Sequence, residues 1–406
     1  MLTLKGKHIL LGVSGGIAAY KIPLLIRLLC KAGAEVRCVT TRNALQFVTE
    51  HTLRTLSQNS VYTDVFAAIN EHATEHISLP VWADLLLVAP ATANVIGKFA
   101  AGIADDALTT TFASCAARRP VIIAPAMNDR MYANPATQQA LQTLAASDNI
   151  TVIEPADGDL ACGSEGKGRM PEPQELQEAV IQALTPQTMA GTNVMITAGP
   201  TREPIDPVRY ITNYSSGKMG YAIALECLRR GAAVTLVSGP VNQSLPDIYE
   251  NQLTLINVAS AGQMANAAVE AWKKSDVAIL SAAVADFTPM TVSPVKMKKQ
   301  QGQDTMTLTL TQTTDIAAAL GRNKQPHQRL IGFALETDHE KENAQKKLLS
   351  KNLDWIVLNS LQDQGAGFGY DTNKVTLISA EGQTLALPLM TKQEVAEKIV
   401  KEVVML

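Results

Sequence analysis

Residues Gly12–Lys21 read GVSGGIAAYK and directly follow the apolar run His8–Leu11, HILL. An apolar run that ends in glycines and then enters a helical pattern is a strand–turn–helix junction. Its glycines let backbone approach a ligand, and the N–H groups at the helix start favour a phosphate there. The pattern is Gly-x-Ser-Gly-Gly, not Gly-x-Gly-x-x-Gly. Where a dinucleotide site would carry an acidic residue near the end of the second strand, this chain has Thr40-Thr41-Arg42. Both departures point away from NAD and towards a mononucleotide such as FMN, with Ser14 and Thr40 as hydroxyl donors. A plain tight turn is the alternative reading.

Outward from this junction, runs apolar on both faces predict buried parallel strands at His8–Val13, Glu35–Thr41, Asp84–Ala89, Pro120–Ala124 and Asn149–Glu154. Helical patterns at Ile17–Ala32, Ala107–Ala117 and Asn134–Ala146 separate them. A second series starts at Asn193, with strands at Asn193–Ala198, Ala233–Ser238, Asp276–Ala282, Arg329–Ala334 and Asp354–Asn359 and a helix at Gly217–Gly231. Strand–helix alternation predicts an α/β protein of two doubly wound, Rossmann-like domains. The halves echo each other weakly, WADLLLVAPATAN against SDVAILSAAVADF. Between them lie an amphipathic helix and a Pro/Thr/Gly-containing link, which puts the boundary near Met189 and the domains at 1–188 and 189–406.

A length of 406 residues suits two domains. A net charge of −3 and 4% aromatics give no reason to expect nucleic acid or an anionic membrane as partner. The apolar start is too short to span a membrane and reads as a strand, so the expected location is the cytoplasm. Of five cysteines, Cys30, Cys38, Cys115 and Cys227 lie in apolar patterns and read as small buried hydrophobes. Cys162 differs: it sits in the glycine-rich, charged stretch ACGSEGKGRM.

APATAN (Ala89–Asn94), with Thr92 and Ala93, and PAMN (Pro125–Asn128) follow predicted strands, where doubly wound folds bind ligands. His72 and His76 form His-Ala-Thr-Glu-His, a zinc-peptidase pattern. Pro80 and the surrounding strands argue against zinc, and a histidine at a cleft edge suits a general base. In the second half, ITAGPTREPIDPVRYITNYSSGKMG (Ile196–Gly220) joins a strand to a helix through a long polar loop. Ser-Ser-Gly-Lys at the helix start reads as an anion site or a helix cap. Asp286, Lys296 in the exposed KMKK run, and Lys347 with Lys351 at i, i+4 would together suit a triphosphate with Mg²⁺. Singly, each reads as a solvated charge.

GVSGGIAAYK, the histidine of EHISL, PAMN and ACGSEGKGRM occur in one order, and by them the first half resembles the flavin-dependent phosphopantothenoylcysteine decarboxylases, of flavodoxin-like type. The resemblance implies FMN on Ser14, Gly15, Gly16, Ile17, Thr40, Thr92 and Ala93. It implies His76 as base, Asn128 as the binder of the substrate carboxylate and Cys162 as proton donor. In that family FMN oxidises the substrate thiol to a thioaldehyde, CO₂ leaves, and the reduced flavin returns the electrons, and the resemblance implies the same course here. The second half, through AGPTREPIDPVRYITNYSSGKMG, SAAVADF, KMKK, GFALET and KNLD, resembles CTP-using phosphopantothenate–cysteine ligases. Here Asn213 would handle an acyl-cytidylate, Asp286 and Phe333 would meet the base, and Lys296, Lys347 and Lys351 the phosphates. The implied substrates are phosphopantothenate, cysteine and CTP. The implied assembly is a homo-oligomer, trimers of the flavin domain and dimers of the ligase domain, up to a dodecamer. A nicotinamide oxidoreductase and a non-catalytic regulatory flavoprotein stand as the alternatives.

Overall fold

The computed structural model describes residues 3–66, 74–158, 166–298, 305–336, 339–360, 365–367 and 369–404. It divides into two compact units, Met1–Thr185 and Pro186–Leu406.

In the first unit β1 (His8–Val13), β2 (Glu35–Thr40), β3 (Val61–Tyr62), β4 (Leu85–Ala91), β5 (Val121–Pro125) and β6 (Ile150–Val152) form one parallel sheet. Their order is β3-β2-β1-β4-β5-β6. The helices are α1 (Ile22–Lys31), α2 (Glu50–Ser57), α3 (Glu75–Trp82), α4 (Ala93–Ala101), α5 (Ala107–Cys115), α6 (Asp129–Tyr132), α7 (Pro135–Ala145) and α8 (Pro173–Leu184). Strand periodicity sorts the core into two layers. Ile9, Leu11 and Val13 pack with Leu25 and Leu29 of α1 and Leu176 and Val180 of α8. Leu10, Leu86 and Val88 face α4, α5 and α7 through Ile96, Leu108 and Leu141. Each fully buried leucine in these layers contributes about 1.5–3 kcal/mol. The amphipathic helix expected between the halves, α8, therefore belongs to the first unit.

Two local differences from the sequence reading have simple causes. The stretch expected as one helix from Ile17 opens with a 3₁₀ turn, Ile17–Lys21, and α1 starts only at Ile22. Pro23 in its first turn suits a helix start, where its missing N–H costs nothing. Helix α3 runs two residues past Pro80, to Trp82, so Pro80 does not end it.

The second unit repeats the topology. Strands Leu253–Asn257, Ala233–Ser238, Asn193–Ala198, Val277–Leu280, Arg329–Glu336 and Trp355–Ser360 lie side by side and parallel. Val375–Ser379 and Thr384–Ala386 extend that sheet antiparallel. In both sheets the order reverses between the first and fourth strands. The two echoing stretches, WADLLLVAPATAN and SDVAILSAAVADF, supply that fourth strand in each unit. Loops leaving a sheet at such a switch point diverge and open a crevice.

Candidate active sites

In the first unit the crevice outside the carboxyl ends of β1 and β4 is a cavity of about 980 Å³. Gly15, Gly16 and Ile17 wall it on one side, Thr92, Asn94 and Val95 on another, and Met127, Asn128 and Met131 on a third. A Cβ on Gly15 would lie 2.4 Å from the Cβ of Asn43, so only glycine lets this turn pack against the segment after β2. Bare backbone at Gly15–Gly16 fits a phosphate, and the apolar Ile17, Val95 and Met131 fit a flat ring.

Not every predicted contact reaches this wall. Ser14 is fully buried behind it. Its hydroxyl donates to Pro90 O (2.7 Å) and accepts from Thr92 N–H (3.0 Å), bracing the β1 turn on the β4 turn. Thr40 is also fully buried, its Oγ1 without a hydrogen-bond partner among the described residues. The wall is made by its neighbour Thr41, and by Asn94 in place of Ala93. Side chains alternate along β2, so one residue decides which threonine faces the ligand.

Asn128 stands at the cavity edge as the N-cap of α6, its Oδ1 accepting from Arg130 N–H at 2.9 Å. The residue before it, Met127, donates its N–H to Gly168 O (2.9 Å). A Cβ on Gly168 would lie 2.2 Å from Met127 O. The GKGRM stretch is thus pressed against the Asn128 turn, backbone to backbone. Lys21 fastens its far end. Buried at the cavity edge, its Nζ donates to Met170 O (3.2 Å) and to Glu172 Oε1 (2.8 Å). Lys167 pairs with Glu154 (2.7 Å) and Arg169 with Glu172. The Lys21 ammonium beside Glu172 holds that carboxyl below its usual range.

His76, on α3, is not in the wall of this cavity; its Nδ1 is buried with no hydrogen-bond partner among the described residues. Cys162 and His72 lie outside the described residues. Burial pushes the Cys38 thiol up to about 12 and the Cys115 thiol up to about 11, and raises Cys227 as well. Those three stay protonated and inert at neutral pH. Among the described residues no group of three or more His, Cys, Asp or Glu could hold a metal ion.

In the second unit Asn213 and Asp286 lie in turns at the carboxyl ends of the parallel strands. Phe333 lies within the Arg329–Glu336 strand, and Lys351 ends the helix Glu340–Ser350 ahead of the last parallel strand. Asn213 Nδ2 donates to Ala283 O in SAAVADF, and its Oδ1 accepts from Ser215 N–H at 3.1 Å. Thr201, fully buried, accepts from Ala285 N–H at 3.0 Å, so the AGPT and AVAD turns are tied beside Asp286, itself exposed. Phe333 is half-buried on the Arg329–Glu336 strand. Lys347 and Lys351 are partly exposed and each is ion-paired. Lys347 meets Glu336 at 2.7 Å and Lys351 meets Asp315 at 3.0 Å. Lys296 is exposed.

Sequence reasoning missed two features here. Lys218 of Ser-Ser-Gly-Lys reaches Asp371 (2.6 Å) and Gly369 O (3.2 Å), joining the helix start to a distant glycine-rich loop. Asn359, at the end of a parallel strand, keeps a buried Oδ1 without a partner among the described residues. The only signal for it was its place after an apolar run.

Two family models divide the chain between them. Residues 2–185 match the flavoprotein family, and residues 189–406 the C-terminal domain of the DNA/pantothenate metabolism flavoproteins. The coenzyme A biosynthesis bifunctional protein CoaBC of Bacillus subtilis is 48% identical over 98% of this chain and 97% of its own. A cysteine/cysteine sulfinic acid decarboxylase from an unknown prokaryotic organism is 50% identical over 88% of this chain and 99% of its own. A solved FMN-binding protein is 36% identical, with 43% of this chain and 95% of that one covered at a TM-score of 0.40.

Proposed function

The chain belongs to the family of coenzyme A biosynthesis bifunctional proteins, a decarboxylase joined to a ligase, and we propose that its two units catalyse consecutive steps on one substrate. The second unit joins cysteine to 4′-phosphopantothenate. A carboxylate is a poor acyl donor until a leaving group is attached, so CTP first converts it to an acyl-cytidylate and pyrophosphate departs. The amine of cysteine then displaces CMP. Asn213 holds the acyl-cytidylate, Asp286 and Phe333 flank the base, and Lys296, Lys347 and Lys351 meet the phosphates with Mg²⁺. An ammonium has three N–H donors, so Lys347 and Lys351 can keep their carboxylates and still donate to phosphate.

The first unit decarboxylates the product, 4′-phospho-N-pantothenoylcysteine, to 4′-phosphopantetheine. The observation that carries this assignment is the switch-point cavity with bare glycine backbone on one wall and Asn128 on another. Gly15, Gly16 and Thr92 would hold FMN there, and the flavin would supply reversible two-electron chemistry for the substrate thiol. Asn128 orients the departing carboxylate, His76 takes the proton released on thiol oxidation, and Cys162 supplies a proton in the reductive half. Because His76 is not in the wall of its own chain's cavity, its position supports assembly of flavin units, so that a partner copy brings the base. Trimers of this unit and dimers of the ligase unit would build a dodecamer. No described helix is long and apolar enough to cross a membrane, and water-soluble substrates fit a cytoplasmic enzyme.

The 50% identical relative favours one second reading, decarboxylation of free cysteine. With CTP, Mg²⁺ and phosphopantothenate but no cysteine, the proposed reaction releases pyrophosphate in amounts matching the enzyme. Chelating Mg²⁺ stops it. Equal release from ATP would contradict the assignment of CTP, and a monomeric mass in light scattering would contradict the assembly.

A further inference from the structure

Lys296 and Lys298 stand exposed on a loop, yet one peptide within that loop is held from both sides. Met297 N–H donates to Asp206 Oδ2 at 3.1 Å, and Met297 O accepts from the Arg209 guanidinium at 2.6 Å. Asp206 and Arg209 are themselves paired through Nε (3.0 Å) and a terminal nitrogen (2.6 Å) on the same carboxylate oxygen. The other oxygen, Oδ1, accepts from Val208 N–H (2.8 Å) and Arg209 N–H (2.9 Å), which closes the Asp-Pro turn beneath it. One further bond, Ser293 N–H to Ile205 O at 3.0 Å, ties the same two segments.

The Asp206 side chain is fully buried, whereas Lys296 and Lys298, on either side of Met297, are exposed. A buried carboxylate that accepts from four groups in its own turn and one 91 residues away does more than cap a turn. We propose that Asp206 is a positioning residue for the ligase reaction, clamping the Met297 peptide so that Lys296 is presented to the nucleotide phosphates at a fixed place. The proposal rests on the reading of Lys296 as a phosphate ligand. The physical point is entropic. A lysine on a free loop must be ordered at each binding event, and a clamped loop has already lost that freedom. The Arg209 guanidinium beside Asp206 holds the carboxyl well below the usual carboxylate range, so the clamp stays charged throughout neutral and mildly acid pH.

The test compares the full-length protein with Asp206→Asn, Lys296→Ala and the double variant, in steady-state ligase kinetics and in limited trypsin digestion. Asparagine presents an NH₂ where one carboxylate oxygen stood, so it cannot accept on both sides. Asp206→Asn is expected to raise the KM for CTP about tenfold with kcat nearly unchanged, the pattern of lost uniform binding. It should also speed cleavage after Lys296 and Lys298. The double variant should match Lys296→Ala alone, because Asp206 acts through that lysine. Met297→Pro removes the donated N–H from the other side of the clamp and should reproduce the raised KM and the faster cleavage after Lys298 (a Lys296–Pro bond itself resists trypsin), which covers the case in which Asp206→Asn fails to fold. If Lys296→Ala leaves the KM for CTP unchanged, the reading of Lys296 falls and takes the proposal with it. If Lys296→Ala raises it, but Asp206→Asn and Met297→Pro keep the wild-type KM and the wild-type rate of cleavage after Lys298, the proposal alone is overturned. Additive effects in the double variant overturn it too.

Discussion

Gly168→Ala should lower phosphopantothenoylcysteine decarboxylation by about 100-fold while leaving the ligase reaction intact, since misplacing a reacting group by about 1 Å is enough for such a loss. The clash is with backbone, not with a side chain that could swing away: the new Cβ would lie 2.2 Å from Met127 O and 3.3 Å from Met127 C. Relief on the outer side is closed as well, because Ala156 and Arg169 exchange backbone hydrogen bonds at 2.8 and 3.3 Å. The strain must therefore move the Met127 peptide, and Asn128 moves with it. Gly97→Ala is the matched control. It lies inside α4, where a Cβ meets nothing within 4 Å, and should leave both activities unchanged. Near wild-type decarboxylation by Gly168→Ala would mean that the GKGRM stretch does not set the position of Asn128.

The second large effect concerns Cys162, which lies outside the described residues. Cys162→Ser should retain FMN and release CO₂, yet form phosphopantetheine at least about 100-fold more slowly, the span expected for loss of a general acid. A serine hydroxyl is a far weaker acid than a thiol, so the proton needed in the reductive half does not arrive. An ene-thiol two hydrogens short of phosphopantetheine should then accumulate and be visible by mass. Normal product formation by this variant would remove Cys162 from the mechanism. The four other cysteines do not offer a substitute. Cys38, Cys115 and Cys227 are buried with raised pKa values, and Cys30, half-buried, has its thiol raised by burial too.

What was legible in the sequence follows from what is periodic or local. The buried parallel strands were readable because both of their faces are apolar, as in Leu85–Ala91, where every residue is buried. The strand Leu253–Asn257 was not, because it lies at a sheet edge with three of its five residues exposed. Turns after strands pointed to Gly15, Gly16, Thr92 and Asn128, and all four line the cavity. Which neighbour of a pair faces inward was not readable: Thr40 was named and Thr41 lines the wall, Ala93 was named and Asn94 does. Long-range partnership left no local trace. Lys21 read as one more helix residue and is a buried anchor for Met170 and Glu172, 149 and 151 residues away. Asp206 read as part of a polar loop and is the hub on which the Lys296 loop rests.

The most direct test of two consecutive activities in one chain is a single incubation of the pure protein with phosphopantothenate, cysteine, CTP and Mg²⁺, followed by product mass and CO₂ release. The account predicts 4′-phosphopantetheine, with one CO₂, one CMP and one pyrophosphate per molecule formed. Cysteamine appearing while phosphopantothenate stays unconsumed would contradict it.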